Sequence, residues 1–250
     1  MRKRRGAAAS RVPSDCSLLY GLHTVRSVLL NPRRVVHGIY VTQKTYKCLQ
    51  DWKIDPPVEP RFVETSWFDA SLGSGAVHQG LAVAVEPLEP GYIDELNSDT
   101  LVLALDSITD PHNVGAIFRS AAAFGATAII TTSSHSPRET GVLAKAASGT
   151  TELVKRIEVS NLSLALRELK SCQFSIIGLD SQGDIPLEQV PPLEKCVLVL
   201  GAEGRGIKPI NRKQCCRLAR IDLPGPVKSL NVSNATALSL YIVTHQILGV

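Results

Sequence analysis

Apolar and polar positions along this chain fall into two zones with different rhythms. From Leu101 onward, short apolar runs alternate with stretches in which apolar residues recur every three or four positions. The runs predict strands at 101–106, 127–132, 174–180 and 196–200, with another near 218–223. The periodic stretches predict helices at 114–124, 140–148, 161–171, 208–215 and 232–248. Near-continuous apolar strands separated by helices imply a mostly parallel sheet covered on both faces, an α/β architecture.

The first zone is shorter. Leu22, Val25 and Leu29 share helical spacing over Gly21–Leu30, and Asn31-Pro32 supplies the stop. A strand follows at Gly38–Thr42, a helix at Lys44–Trp52, a strand at Arg61–Val63 and a helix at Ser66–Leu72. Alternating Leu81, Val83 and Val85 predict a last strand. This is a small α/β module with no constellation of catalytic groups. Between the zones, EPLEPGYIDELNSD at 86–99 holds two prolines, a glycine, five acids and no basic residue, the composition of a linker. The expected division is a basic tail at 1–16, a small domain at 17–86, a linker at 87–99 and a catalytic-size domain at 100–250.

Charge adds two features. The formal net charge is +4, but Arg2, Lys3, Arg4, Arg5 and Arg11 contribute +5 before the first acid, Asp15. Such an arm suits phosphate contact, or is a solvated terminus. It has no apolar core of a secretory signal, and an Arg-rich start leaves a mitochondrial targeting remnant open. Arg205, Lys208, Arg212, Lys213, Arg217 and Arg220 lie within 16 residues that contain no acid. Either a solvated helix face or an RNA footprint would explain them. No apolar run is long enough to span a bilayer. The six cysteines form no CxxC pair and no Cys/His cluster of zinc spacing, so no metal site is expected.

Three segments carry candidate chemistry, each just after a predicted strand, where ligands gather in open α/β sheets. In residues 105–126, Asn113 is expected to cap a helix starting at Val114, and Gly115, Ala116 and Ala121–Ala123 keep that helix narrow. Arg119 is the only charged residue between Asp110 and Arg138, so it must meet an anionic or hydrogen-bonding partner or reach solvent. In LVLGAEGRGI, 198–207, Gly201, Gly204 and Gly206 permit positive φ and close approach to backbone amides, with Glu203 as the single carboxylate. In residues 221–238, Pro224-Gly225-Pro226 forces an extended loop poor in hydrogen bonds. It leads into Ser229, Asn231, Ser233 and Asn234, more small polar groups than one helix cap requires. GxGxxG after the first strand, GxxxxGK[ST], GxSxG and HExxH are all absent, which removes the common dinucleotide, nucleotide, hydrolase and zincin readings.

Together these segments resemble the SpoU family of RNA 2′-O-methyltransferases, within the knotted SPOUT superfamily. NVGAIFR at 113–119 is similar to the first family motif, GAEGRG at 201–206 to the second and SLNVSNA at 229–235 to the third, in family order over residues 100–250. The first zone, opening GLHTVRSVL and closing HQGLAVAV, is similar to the RNA-binding domain that precedes many members. The pairing most resembles bacterial 23S rRNA guanosine 2′-O-methyltransferases, with mitochondrial rRNA enzymes second. Two departures stand out: Asp222 where a proline is expected, and Asn234 where an aliphatic residue is common.

The resemblance implies a C-terminal domain threaded into a deep trefoil knot, a homodimer with sites at its interface, and no metal. It implies S-adenosylmethionine held by Leu200, Gly201, Ile221, Ser229 and Leu230. Asn113, Arg119, Glu203 and Asn231 would then be the catalytic set, with Glu203 fixing an arginine or the ribose. The implied compartment is the bacterial cytoplasm, or the mitochondrial matrix. The rivals are a tRNA ribose 2′-O-methyltransferase with the same catalytic domain, and a non-catalytic RNA-binding ribosome-assembly protein.

Overall fold

The structure is a computed structural model that describes residues 12, 15–96 and 100–249. The basic residues of the tail, Arg2 to Arg5 and Arg11, lie outside the described residues, as does the last part of the expected linker, 97–99. The chain divides into two compact units between Leu88 and Glu89.

Among the described residues, the first unit is a four-stranded sheet with three helices. Its elements are β1 (Ser17–Tyr20), α1 (Leu22–Leu30), β2 (Val36–Val41), α2 (Gln43–Asp51), β3 (Pro60–Phe62), α3 (Thr65–Leu72) and β4 (Leu81–Val85). The sheet order is β1-β4-β2-β3, with β2 and β3 parallel and the other pairs antiparallel. Central β4 is buried at every position, which is why LAVAV alternates only between apolar sizes. β1 was not among the predicted strands; its SLLY sequence is too short to show a period before the helix begins.

The second unit is a seven-stranded, wholly parallel sheet in the order β7-β6-β5-β10-β8-β11-β9. Its elements are β5 (Leu101–Asp106), α4 (Pro111–Ala123), β6 (Ala128–Thr132), α5 (Gly141–Ala147), β7 (Lys155–Val159), α6 (Leu162–Ser171) and β8 (Ser175–Leu179). Then come β9 (Ile185–Pro186), β10 (Cys196–Gly201), α7 (Pro209–Arg212), β11 (Arg217–Arg220) and α8 (Val232–Ile242), which continues as a π-turn over Val243–Ile247. The pleat splits each central strand between two cores. Leu101, Leu103 and Leu105 join Leu198 and Leu200 under α4, α5 and α8, whereas Val102, Ala104, Val197 and Val199 meet α6 on the opposite face. Gly115 sets the closeness of α4 to α5, since a Cβ there would lie 2.5 Å from the Leu143 carbonyl oxygen.

Three expectations change. β7 was not predicted, because KRIEV mixes charge into an edge strand, where only one face needs apolar cover. The helix expected over 208–215 shortens to α7, and Gln214-Cys215-Cys216 leads out of it toward β11. Residues 91–96, expected as linker, pack on the second unit. Gly91 N–H donates to the Arg156 carbonyl, the Lys155 ammonium meets Glu95 at 2.6 Å, and Leu96 is buried.

Candidate active site

The sheet changes direction of winding at β5 and β10, and Asp106, Asp180, Glu203 and Asp222 lie at or just beyond the carboxyl ends of β5, β8, β10 and β11. Asp106 closes β5 and is 1% exposed. It does not lie idle. Its Oδ2 accepts from Lys208 N–H and from the Asn211 side-chain amide, both at 2.7 Å, and its Oδ1 accepts from the Ser107 hydroxyl. A buried carboxylate needs such donors, and here they come from the start of α7, so Asp106 fixes where the 201–208 loop must end. The apolar-to-acid switch at the end of LVLALD was the sequence signal for it.

That loop is tight. Gly201 has no room for a side chain, because a Cβ would fall 2.2 Å from the Gly206 carbonyl carbon, and Gly204 and Gly206 adopt positive φ. The turn lifts Glu203 toward two other segments. The Asn231 side-chain amide donates to Glu203 Oε1 at 2.7 Å and to Asn113 Oδ1 at 2.9 Å; the Asn113 amide donates to the same Glu203 oxygen at 3.4 Å, as does Val232 N–H. Among the described residues, Glu203 Oε2 accepts nothing. Asn113, Glu203 and Asn231, 90 and 28 residues apart in sequence, thus form one hydrogen-bonded group.

The expected cap role of Asn113 is corrected. Asp110 caps α4 by accepting from His112 N–H, Pro111 occupies the first turn, and Asn113 is left free to reach across. Asn231 does cap α8, accepting from the Ser233 amide and hydroxyl, while its own amide points to Glu203. Glu203 holds asparagines rather than an arginine. Arg119 lies on α4 about 240° further round the helix than Asn113, exposed and without an ion-pair partner among the described residues. It does not join the group.

Beside that group is a cleft of about 440 Å³ bounded by Leu200, Gly201, Ile221, Ser229 and Leu230, together with Asp180. Several pairs that the sequence did not suggest brace its walls. Arg212 meets Asp180 at 2.9 Å. Arg220 meets Asp222 at 2.8 Å and also donates to the Gly183 carbonyl, which joins the loop after β8 to the loop after β11. The unexpected Asp222 therefore has a partner. The Lys228 ammonium donates to the Gly225 carbonyl at 2.9 Å, supplying a donor to the Pro-Gly-Pro loop. Asn234 is exposed on α8, where no apolar side chain is needed. The basic run is consequently less free than its sequence suggests: Arg212, Arg220 and Lys208 face carboxylates, while Arg205, Lys213 and Arg217 are exposed. Beneath it, burial raises the Cys215 thiol to about 11.

Among the described residues no helix is long and apolar enough to cross a membrane, and no three His, Cys, Asp or Glu side chains converge as metal ligands.

Residues 100–241 match the SpoU rRNA methylase family, and residues 18–91 match the RNA 2′-O ribose methyltransferase substrate-binding family. The chain is 34% identical over 242 residues to the 23S rRNA (guanosine-2′-O-)-methyltransferase RlmB of Haemophilus influenzae, covering 92% of this chain and 98% of that protein. It is 36% identical over 244 residues to the enzyme of the same name from Acinetobacter baylyi, covering 92% and 97%. In fold it is similar to the SpoU methyltransferase AviRb from Streptomyces viridochromogenes, solved with AdoMet, at a TM-score of 0.80, 20% identity and coverage of 93% and 91%. An AdoMet-bound rRNA methyltransferase from Sinorhizobium meliloti gives a TM-score of 0.77 at 18% identity, covering 92% and 87%.

Proposed function

Because this chain belongs to the SpoU rRNA methylase family, we propose that it methylates a ribose 2′-hydroxyl in RNA, that of a guanosine in large-subunit (23S) rRNA, using S-adenosylmethionine. The observation that carries this reading is the hydrogen-bonded group of Asn113, Glu203 and Asn231, of which Glu203 lines the Gly201 cleft.

The cleft residues fit such a cofactor. Leu200, Ile221 and Leu230 offer apolar surface to a purine, and the bare backbone at Gly201 lets a ligand lie against main-chain groups. Leu200, Gly201, Ile221, Ser229 and Leu230 are assigned to hold it. When bound, it supplies an electrophilic methyl on a sulfonium whose leaving group is a neutral thioether. The chain then has to orient one hydroxyl and handle one proton.

Asn113 and Asn231 present Glu203 in a single orientation, with one carboxylate oxygen consumed by their amides and the other available to a ribose hydroxyl. Arg119 presents its donors in a planar fork and offers no acceptor, so it is assigned to orient ribose and phosphate and to favour the developing alkoxide, not to remove the proton. Its position apart from the other three supports a site completed by a second copy of the chain. In the homodimer we infer, exposed Leu238 and Tyr241 of α8, which packs on α4, supply apolar interface, and Arg119 serves the partner's cleft. We further infer the trefoil knot of the family. After β11, on the far side of β8, the chain returns to seat α8 against α4 and β10, and this return supports the inference. The compartment this reading calls for is one that holds large-subunit rRNA, the bacterial cytoplasm or the mitochondrial matrix.

Two measurements test the reading. Added S-adenosylmethionine should raise the thermal midpoint of the full chain, since it stabilises only the folded state it binds. Large-subunit rRNA from cells lacking the protein should lose one 2′-O-methyl mark that the wild-type gene restores. No binding at millimolar cofactor, or an unchanged methylation map, would sink the proposal.

A further inference from the structure

The first unit carries a cleft of about 570 Å³ at the carboxyl ends of β2 and β3, bordered by Lys44, Thr45, Phe62, Glu64, His78 and Gln79. Its floor is held firmly. Thr42 N–H donates to the Gly80 carbonyl, the Thr45 hydroxyl donates to the Gln79 carbonyl, and Leu22 N–H donates to Gln79 Oε1. These bonds keep Gln79 at φ 57°, a backbone conformation that residues other than glycine seldom adopt and that persists where the surroundings impose it. His78 stacks on Phe68 at 4.3 Å, and its Nδ1 accepts from Gly80 N–H, so the ring proton sits on Nε2 as a donor. Above this floor, Phe62 is 53% exposed on the edge strand, its ring steadied edge-on by Tyr46 at 4.9 Å.

A large aromatic face left in water beside fixed donors and acceptors is what an unstacked base needs. The cleft's charges argue the same way. Its lining carries one basic and one acidic side chain, Lys44 and Glu64, which sum to zero and do not make an anion site, whereas a base brings an apolar face together with hydrogen-bonding edges. The volume lies within the range of clefts that take one small ligand. A paired helix would keep its base faces stacked and could not use Phe62.

We propose that this cleft receives one unpaired nucleotide of the RNA substrate, its base stacked on Phe62 and its edge met by His78 and Glu64, with Lys44 near the backbone. The assignment rests on the methyltransferase reading above, since it takes the first unit as the part that grips RNA.

The test uses the full chain and a labelled ten-nucleotide single-stranded RNA read by fluorescence anisotropy, with S-adenosylmethionine binding followed in parallel by calorimetry. Phe62→Ala and Phe62→Leu should each weaken binding about tenfold or more, whereas Phe62→Tyr, which keeps a stacking face, should stay near wild type. Cofactor affinity should not change in any of them. Affinity within twofold of wild type for both Phe62→Ala and Phe62→Leu overturns the proposal. Photocrosslinking of wild-type protein to the same RNA carrying 5-iodouridine needs no variant. Adducts should fall on Phe62 or Tyr46, and adducts confined to residues 89–250 overturn it as well. Failure of wild type to bind the cofactor would instead overturn the methyltransferase reading, while the RNA measurements still decide the cleft.

Discussion

Asn231 donates to Glu203 across 2.7 Å, and in doing so joins the turn after β10 to the first residue before α8. One N–H of the same amide also reaches Asn113, so a single side chain ties together segments that lie far apart in sequence.

That geometry makes Glu203 the acceptor on which the group depends. Glu203→Ala should lower methyl transfer by roughly 10- to 100-fold, the effect of losing hydrogen bonds to a charged group. Glu203→Gln keeps an acceptor and should fall between. A tritiated-methyl assay on rRNA decides it; wild-type rates in the alanine variant would reduce the group to a structural bracket.

Asp106 offers a stability test. Removing it leaves Lys208 N–H and the buried Asn211 amide without their acceptor. Asp106→Ala should cost about 3 kcal/mol, roughly 6–12 °C in melting temperature. Cofactor binding should weaken with it, because the 201–208 loop loses its anchor. An unshifted calorimetric midpoint would contradict the anchoring role.

Arg119 has no structural partner among the described residues, so Arg119→Ala should fold, dimerise and bind cofactor yet lose most activity. Arg119→Lys separates two roles. If the planar fork orients ribose and phosphate, lysine should be nearly as poor as alanine. Restored activity that climbs as pH approaches the lysine range would identify the residue as a proton acceptor instead.

The thiols give a pH prediction. Burial raises Cys196 to about 12 and Cys215 to about 11, from an ordinary value of 9.0, whereas Cys48 and Cys216 are exposed. Iodoacetamide at pH 8 should modify the exposed pair first, and Cys215 on the order of 100-fold more slowly, in line with its smaller thiolate fraction. The sign for stability follows from linkage. Both folded thiols hold their protons above the pH at which unfolded ones lose them, so their contribution is complete below about 9 and falls as pH rises toward 11–12. Equal alkylation rates in mass spectra of timed samples would contradict the burial.

The sequence by itself determined the α/β class of both units and most of their elements, because periodicity records which faces are buried. Leu101–Asp106 and Cys196–Gly201 read as strands at once, since strands covered on both faces must be apolar throughout. The edge strand β7 escaped for the opposite reason: Glu158 is exposed, while half-buried Lys155 and Arg156 pair with Glu95, Thr131 and Glu158, so KRIEV is not apolar throughout. The family motifs singled out Asn113, Glu203 and Asn231. They did not say what these residues touch, and the local sequence suggested Asn113 as a cap when Asp110 holds that position. Tertiary structure alone decided three things: that these three side chains meet, that Arg119 stands apart from them, and that half of the basic run faces carboxylates. The physical reason is range. Helix and strand periods follow from neighbours a few residues away, whereas a hydrogen bond between Asn231 and Asn113 spans 118 residues and exists only because the sheet brings β5, β10 and β11 to a common edge.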